Sequence, residues 1–152
     1  QLYAPEEMCS YKDTADFFWV TDHGTRGRID MVVYSFPYVS GRTFTLDYLV
    51  AMRDSVLGEH IQGAFPGSYM TTEKRFTPSY EAISKNGEYC GVVRGLWEME
   101  GDMMGGPFVS HAHLDEKNQR VVVAETFVYA TGTKKAKLLR RGEASLYTFC
   151  MD

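Results

Sequence analysis

The pattern of apolar and polar positions predicts strands through most of the chain and helices at two places. The first helix is predicted from Thr45 to Ile61, because apolar side chains recur there about every 3.6 residues against a polar face that includes Asp47, Arg53, Asp54 and Glu59. Thr45 is a favourable N-cap residue, and Asp47 places negative charge in the first turn. A second amphipathic helix is predicted from about Lys135 to Phe149. β-Branched and aromatic residues predict strands at 17–21, 29–36, 68–74, 79–84, 88–99, 108–114 and 120–129.

The connections between the predicted strands are short, which indicates antiparallel pairing, since parallel strands need long crossovers. Residues 22–27 and Asn86-Gly87 have the composition of turns, and Gly105-Gly106-Pro107 is expected to interrupt the chain. The predicted order is β-β-α-β-β-β-β-(β)-α. Helices segregated from an antiparallel β-sheet define the α+β class.

The first predicted strand is apolar on both of its sides, since Phe17 and Trp19 alternate with Phe18 and Val20. A half-solvated sheet has one polar side, so we expect this sheet to be covered on both faces. The closing helix then lies either alongside the first helix or opposite it. We expect residues 1–15 to be an irregular segment and 16–152 to form one domain, which is long enough for one core.

Composition and charge narrow the possible functions. The chain has 152 residues, of which 44% are hydrophobic and 24% charged, and its net charge is −4. This charge disfavours nucleic acid as a partner, because such binders need a basic surface. No apolar run approaches the ~20 residues that span a bilayer, so no transmembrane segment is predicted. No cofactor motif is found, and none is predicted.

The three cysteines, Cys9, Cys90 and Cys150, form no C-x-x-C pair. The main interpretation is that all three are small buried hydrophobic residues. The alternative is a disulfide between Cys9 and Cys150, which would suit an oxidising compartment.

The sequence His111-Ala112-His113-Leu114-Asp115 carries the most suggestive chemistry. Alternate residues of a strand share a face, so His111, His113 and Asp115 would lie together. The main interpretation is a solvated hairpin face, with Ala112 and Leu114 directed to the core. The alternative is a metal site, because two imidazoles and a carboxylate are typical ligands of zinc or iron.

The glycine-rich stretch from Gly101 to Pro107 is not a phosphate-binding loop, because it leads into a strand rather than a helix. Met103 and Met104 are adjacent in it, with Trp97 and Phe108 close by. These four residues predict an adaptable apolar surface for a ligand or partner, although they could also belong to the core.

Two charged clusters complete the candidate features. The acidic cluster is interpreted as a solvated rim, since adjacent carboxylates on one strand face repel one another. Its members are Glu98, Glu100 and Asp102. The basic cluster is interpreted as a solvated helix face, or alternatively as a docking face for an acidic surface. Its members are Lys134, Lys135, Lys137, Arg140 and Arg141.

The segment GLWEMEGDMMGGPFVSHAHLDEKNQRVVVAETFVY, from Gly95 to Tyr129, resembles an uncharacterised family of envelope lipoproteins from the Bacteroidetes. The segments TFTLDYLVAMRDSVL, GSYMTTEKR and LLRRGEASLYT are also similar to that family, so the resemblance runs from about Phe17 to Thr148. It implies a leader and a lipidated cysteine upstream, with this chain as the carboxyl-terminal part of a larger exported protein. It supplies no catalytic residues.

The order of elements also resembles the PsbP-like α/β/α sandwich, whose members are mostly binding or assembly factors. We therefore expect a non-enzymatic cell-envelope module that binds a protein or a small ligand. Two alternatives remain open. One is a metal-dependent hydrolase that uses His111 and His113, and the other is a small-ligand carrier with a pocket between helix 45–61 and the sheet.

Overall fold

The computed structural model describes residues 1–22, 24, 27–130 and 135–152. His23, Thr25 and Arg26 of the predicted turn lie outside the described residues, as does Lys134 of the basic cluster. The strands are β1 (Cys9–Asp13), β2 (Phe17–Thr21), β3 (Arg28–Pro37), β4 (Tyr69–Thr72), β5 (Ser79–Lys85), β6 (Glu88–Glu100), β7 (Gly105–Asp115) and β8 (Arg120–Tyr129). The helices are a 3-10 turn (Gly41–Phe44), α1 (Leu46–His60) and α2 (Lys135–Leu146).

All the strands join one antiparallel sheet in the order β1-β2-β3-β8-β7-β6-β4, and β5 also pairs with β6. β6 is 13 residues long, so its first part pairs with β5 and its last part with β4. β3 and β8, far apart in sequence, pair from Arg28↔Tyr129 to Pro37↔Arg120. The predicted α+β class and the order of elements are confirmed.

The helices lie on opposite faces of the sheet, and each covers its own hydrophobic core. The core beneath α1 includes Leu49, Leu57, Trp97, Phe108 and Phe127. The core beneath α2 includes Ile29, Met31, Val92, Val128 and Leu146. The expectation that the sheet is covered on both faces is therefore confirmed.

Three local predictions need correction. Residues 9–13, expected to be irregular, form β1 and pair with β2. α2 ends at Leu146 rather than Phe149. Gly105-Gly106-Pro107 does not interrupt the chain but begins β7. A Cβ on Gly106 would lie 2.0 Å from the Val128 carbonyl oxygen. Glycine is needed there because the neighbouring backbone comes too close for any side chain.

An ion pair is buried beneath α1, where the sequence pattern placed Arg53 on the polar face. Arg53 donates from Nε to Glu125 Oε1 at 2.7 Å and from Nη2 to Oε2 at 3.0 Å. Its Nη1 donates to Thr72 Oγ1 at 2.9 Å, and its guanidinium carbon lies 3.9 Å from the centre of the Phe108 ring. Burial raises the pKa of Glu125, and the Arg53 charge opposes that shift. The pair anchors α1 to the middle of the sheet.

Candidate functional site

The predicted binding surface is only partly a surface. Met103 is fully exposed at the end of the β6–β7 hairpin, and Met104 packs partly buried against the core. Trp97 is buried and donates from Nε1 to the Val128 carbonyl oxygen at 3.0 Å. Phe108 is buried beneath the Arg53 guanidinium, so its placement on a surface is wrong. Its side chain faces α1 because the β7 residues alternate between two covered faces.

A groove of about 620 Å³, here called the Met103 groove, lies beside the hairpin. It is lined by Glu73, Arg75, Phe76, Leu96, Trp97, Glu98, Asp102, Met103, Met104, Gly105, Gly106, Pro107 and Lys135. Phe76 is 62% exposed and Met103 100% exposed, so two large apolar side chains meet solvent at its rim. Three of the four predicted residues, Trp97, Met103 and Met104, therefore share one concave site.

Carboxylates give the Met103 groove its electrostatic character. Glu73 accepts hydrogen bonds from Arg75, from its backbone nitrogen at 2.7 Å and from Nη2 at 2.7 Å. These bonds lower the pKa of Glu73 to about 2, whereas the hydrogen bond with Glu73 raises the pKa of Glu98. Glu98 forms no salt bridge within the described residues.

The predicted acidic cluster separates accordingly. Glu100 is exposed, as expected of a rim, and Glu98 is half-buried in the groove. Asp102 lies in the turn, where its carboxylate accepts a hydrogen bond from the Met103 backbone nitrogen at 2.7 Å. The three carboxylates therefore do not line one strand face.

The two strand histidines are buried, so the prediction of a solvated hairpin face is wrong. His111 is 0% and His113 6% exposed, because α2 and the residues after it cover this side of β7. The His111 ring meets Tyr147 edge-on at 5.0 Å, and the His113 ring lies 4.9 Å from Phe149. Burial lowers the pKa of His111 to about 3 and that of His113 to about 4, so both are neutral at pH 7.

Asp115 does not join the histidines. It accepts hydrogen bonds from Asn118 and Arg120 across the β7–β8 turn, each at 2.8 Å. The third polar group beside the histidines is Cys90, which the sequence analysis did not connect with them.

Cys90 reaches the histidines through the register of β6 and β7. Cys90 pairs with His113 and Val92 pairs with His111, which places all three chemical groups on the α2 side of the sheet. The Cys90 Sγ lies 3.7 Å from His113 Nε2. We call Cys90, His111 and His113 the thiol–imidazole cluster. The position of the β6–β7 turn could have predicted this pairing, because counting equal numbers of residues outward from the turn along both strands brings Cys90 opposite His113.

Lys85 closes the open side of the thiol–imidazole cluster. Its Nζ lies 3.2 Å from His113 Nε2 and donates to the Leu146 carbonyl oxygen at 2.6 Å. Burial lowers the pKa of Lys85 and raises the pKa of the Cys90 thiol to about 11. At pH 7 the cluster therefore holds a thiol and two neutral imidazoles beside the Lys85 side chain.

The remaining predictions concern exposed groups. Cys90 is buried as expected, but Cys9 and Cys150 are exposed free thiols, so the alternative disulfide is not formed. In the basic cluster, Lys135, Lys137, Arg140 and Arg141 are exposed. Arg141 donates to Glu7 at 2.5 Å.

The hydrophobic core fills the space between α1 and the sheet. A cleft of about 380 Å³ lies beside α1 and is lined by Leu46, Asp47, Val50, Ala51, Asp54, Lys74, Thr77 and Pro78.

Comparison with known proteins identifies the family. A family model described as a domain of unknown function, DUF4837, matches residues 1–148. The chain belongs to this family.

A crystal structure from Bacteroides thetaiotaomicron VPI-5482, determined at 1.50 Å resolution, is similar over 92% of this chain, with 11% identity and a TM-score of 0.40. The chain spans 42% of that protein. No curated protein matches the sequence. Among the described residues, no helix is long and apolar enough to cross a membrane.

Proposed function

We propose that this chain is a binding module whose Met103 groove accepts a segment of a partner protein that carries an apolar side chain beside a basic one. The observation that supports this is the fully exposed Met103 at the rim of a groove of about 620 Å³. Volumes of this size suit ligands and peptide side chains, and flexible methionine adapts to different apolar shapes. Phe76 provides a second exposed apolar contact.

The basic character of the partner follows from the carboxylates. Arg75 is already engaged by Glu73, whereas Glu98 and Asp102 line the groove without a salt bridge among the described residues. A lysine or arginine of the partner would stabilise the charged form of Glu98 beside Glu73. A charge-assisted hydrogen bond of this kind is stronger than one between neutral groups.

Fluorescence anisotropy with four labelled peptides of equal length tests this specificity. One peptide contains Phe and Lys, one Phe and Glu, one Ala and Lys, and one only Ala and Gln. We expect the Phe/Lys peptide to bind most tightly, with an affinity that falls as salt is added. Equal binding of all four peptides would contradict the proposal.

Three variants locate the binding. Met103→Asp and Glu98→Gln should each lower the affinity for the Phe/Lys peptide by about tenfold, which corresponds to about 1.4 kcal/mol of binding free energy. Glu100→Gln is the matched control, because it removes a neighbouring exposed carboxylate outside the groove lining. An unchanged affinity in Met103→Asp, or an equal loss in Glu100→Gln, would place the binding elsewhere.

We further propose that the module acts in the cell envelope, anchored by a lipid upstream of the chain. The support is the resemblance of the segments from Phe17 to Thr148 to envelope lipoproteins. Fractionation of native cells, with mass spectrometry of the amino terminus of the native protein, is the test. We expect membrane fractions and an acylated cysteine, and recovery in the cytosol without acylation would refute the proposal.

A further inference from the structure

The thiol–imidazole cluster is held by the two adjacent strands β6 and β7. The side chains of Cys90 and His111 are completely buried, and His113 is 6% exposed. The backbone pairs Cys90↔His113 and Val92↔His111 set their separation. Side chains carried by paired strands and covered by a helix are held in place before any ligand arrives, which favours tight binding.

The distances in the cluster suit one metal ion. One ligand atom from each of Cys90, His111 and His113 lies within 4.8 Å of the others. A tetrahedral zinc ion with ordinary bond lengths holds a sulfur and a nitrogen about 3.6 Å apart. The Cys90 Sγ and His113 Nε2 are 3.7 Å apart. The His111 nitrogen lies within 4.8 Å of the other two ligand atoms, so it would have to approach them by at most about 1.5 Å.

His111 provides an independent indication of a missing ligand. Its Nδ1 and Nε2 are both buried without a hydrogen-bond partner among the described residues. A buried polar atom without a partner costs about 1–3 kcal/mol, and such atoms often mark a function or an unoccupied ion site. A bond from one ring nitrogen to a metal would remove part of this cost.

His113 is oriented as a metal-binding imidazole is. Its Nδ1 lies 3.3 Å from the Val122 carbonyl oxygen, which can only accept a hydrogen bond. The proton is therefore on Nδ1, and the lone pair of Nε2 is directed at Cys90 and Lys85. Metal-ligating histidines usually donate their second N–H to a carbonyl or a carboxylate in this way.

We propose that Cys90, His111 and His113 bind one borderline or soft transition-metal ion, with Zn²⁺ as the probe, and that the Lys85 amine competes with the metal for His113 Nε2. One thiolate and two imidazoles suit zinc or copper rather than magnesium or calcium, which prefer oxygen ligands. On binding, the metal–sulfur bond replaces the S–H bond of Cys90, and that proton leaves to solvent. Lys85 gives up its contact with His113 and keeps its hydrogen bond to Leu146.

The test uses the whole chain in a Cys9→Ser/Cys150→Ser background, because exposed thiols bind metals without a built site. Equilibrium dialysis with Zn²⁺ should give one bound ion per chain. Co²⁺ should produce the near-ultraviolet absorption of a cobalt–thiolate bond, since Cys90 is the only thiol left. A saturating Co²⁺ titration without this absorption would overturn the proposal, even if the variants below fail to fold.

Substitutions separate a metal site from a merely structural cluster. Cys90→Ser and His111→Phe should each weaken Zn²⁺ binding by tenfold or more. Lys85→Met should tighten it by tenfold or more, because it removes a competing amine. His60→Phe is the matched control, since it removes a half-buried histidine outside the cluster and should leave the affinity unchanged. Equal Zn²⁺ affinity in Cys90→Ser, or weaker binding in Lys85→Met, contradicts the assignment.

Discussion

The buried ion pair beneath α1 offers the sharpest test of how this fold is held together. Arg53 is 1% and Glu125 0% exposed, and the two share hydrogen bonds of 2.7 and 3.0 Å. Replacing Arg53 by methionine leaves the Glu125 carboxyl without a cation in the middle of the protein. Since an isolated buried charge is very unfavourable, Glu125 will take up a proton in the folded variant.

The size of the effect follows from that proton. An ordinary glutamate has a pKa of about 4.3, so holding it neutral at pH 7 costs about 3.7 kcal/mol, at about 1.36 kcal/mol per pH unit. This is the upper limit of the loss relative to wild type, because burial already raises the pKa of Glu125 in the wild type. This value lies within the ~3–5 kcal/mol lost when one member of a buried pair is removed. In Arg53→Met the folded pKa of Glu125 is raised above the unfolded value. The folded variant therefore binds more protons than its unfolded state does. The stability that Arg53→Met loses relative to wild type falls to about 1 kcal/mol at pH 5.

Urea unfolding at pH 7 and pH 5, followed by circular dichroism, measures both quantities. The double variant Arg53→Met/Glu125→Leu removes both charges and should recover most of the stability lost in Arg53→Met, because apolar residues of similar size can replace a buried pair. A pH-independent loss below about 1 kcal/mol in Arg53→Met would refute this reasoning. A double variant whose loss equals the sum of the single losses would also refute it.

Three further predictions concern Asp30, Gly106 and His111. Burial raises the pKa of Asp30, so the folded state binds the Asp30 proton more tightly than the unfolded state does. Wild type should therefore lose stability relative to Asp30→Asn as the pH rises from about 4, by at most about 1.36 kcal/mol per pH unit. Urea unfolding midpoints from pH 3 to 7 measure this loss. Gly106→Ala should lose about 1–3 kcal/mol or more, because its Cβ would lie 2.0 Å from a backbone oxygen, whereas Gly41→Ala, with no atom within 4 Å, should have little effect in the same assay. In metal-free protein with chelator, His111→Phe should raise the melting temperature, since it removes two unpartnered buried nitrogens; a lower one would show that they are satisfied.

Periodicity predicted most of the secondary structure because each element buries a regular stripe or face. α1 was placed within one residue at each end, and β8 was placed at its observed bounds. Periodicity failed where a polar residue occupies a buried position. Arg53 lies four residues from both Leu49 and Leu57 on the buried stripe of α1, and its charge made it look like part of the solvated face.

The candidate sites were predicted only in part, because the pattern along one strand does not show what covers its faces or what pairs beside it. The pair His111 and His113 was recognised from strand alternation, but its burial was not, because alternation cannot show that the second face is also covered. Asp115 was chosen as the third ligand because it is near in sequence. Cys90 is about 20 residues away, and only the pairing of β6 with β7 brings it to His113.

The sequence by itself determined the antiparallel α+β class, the positions of both helices and the apolar character of the β6–β7 hairpin. These depend on local propensity, turn residues and alternation, which act over a few neighbouring residues. The tertiary structure alone decided that α2 lies opposite α1, that Glu125 meets Arg53, and that a thiol joins two imidazoles. Those contacts depend on the register of β6 with β7 and on the pairing of β3 with β8, which are set by how the whole sheet packs.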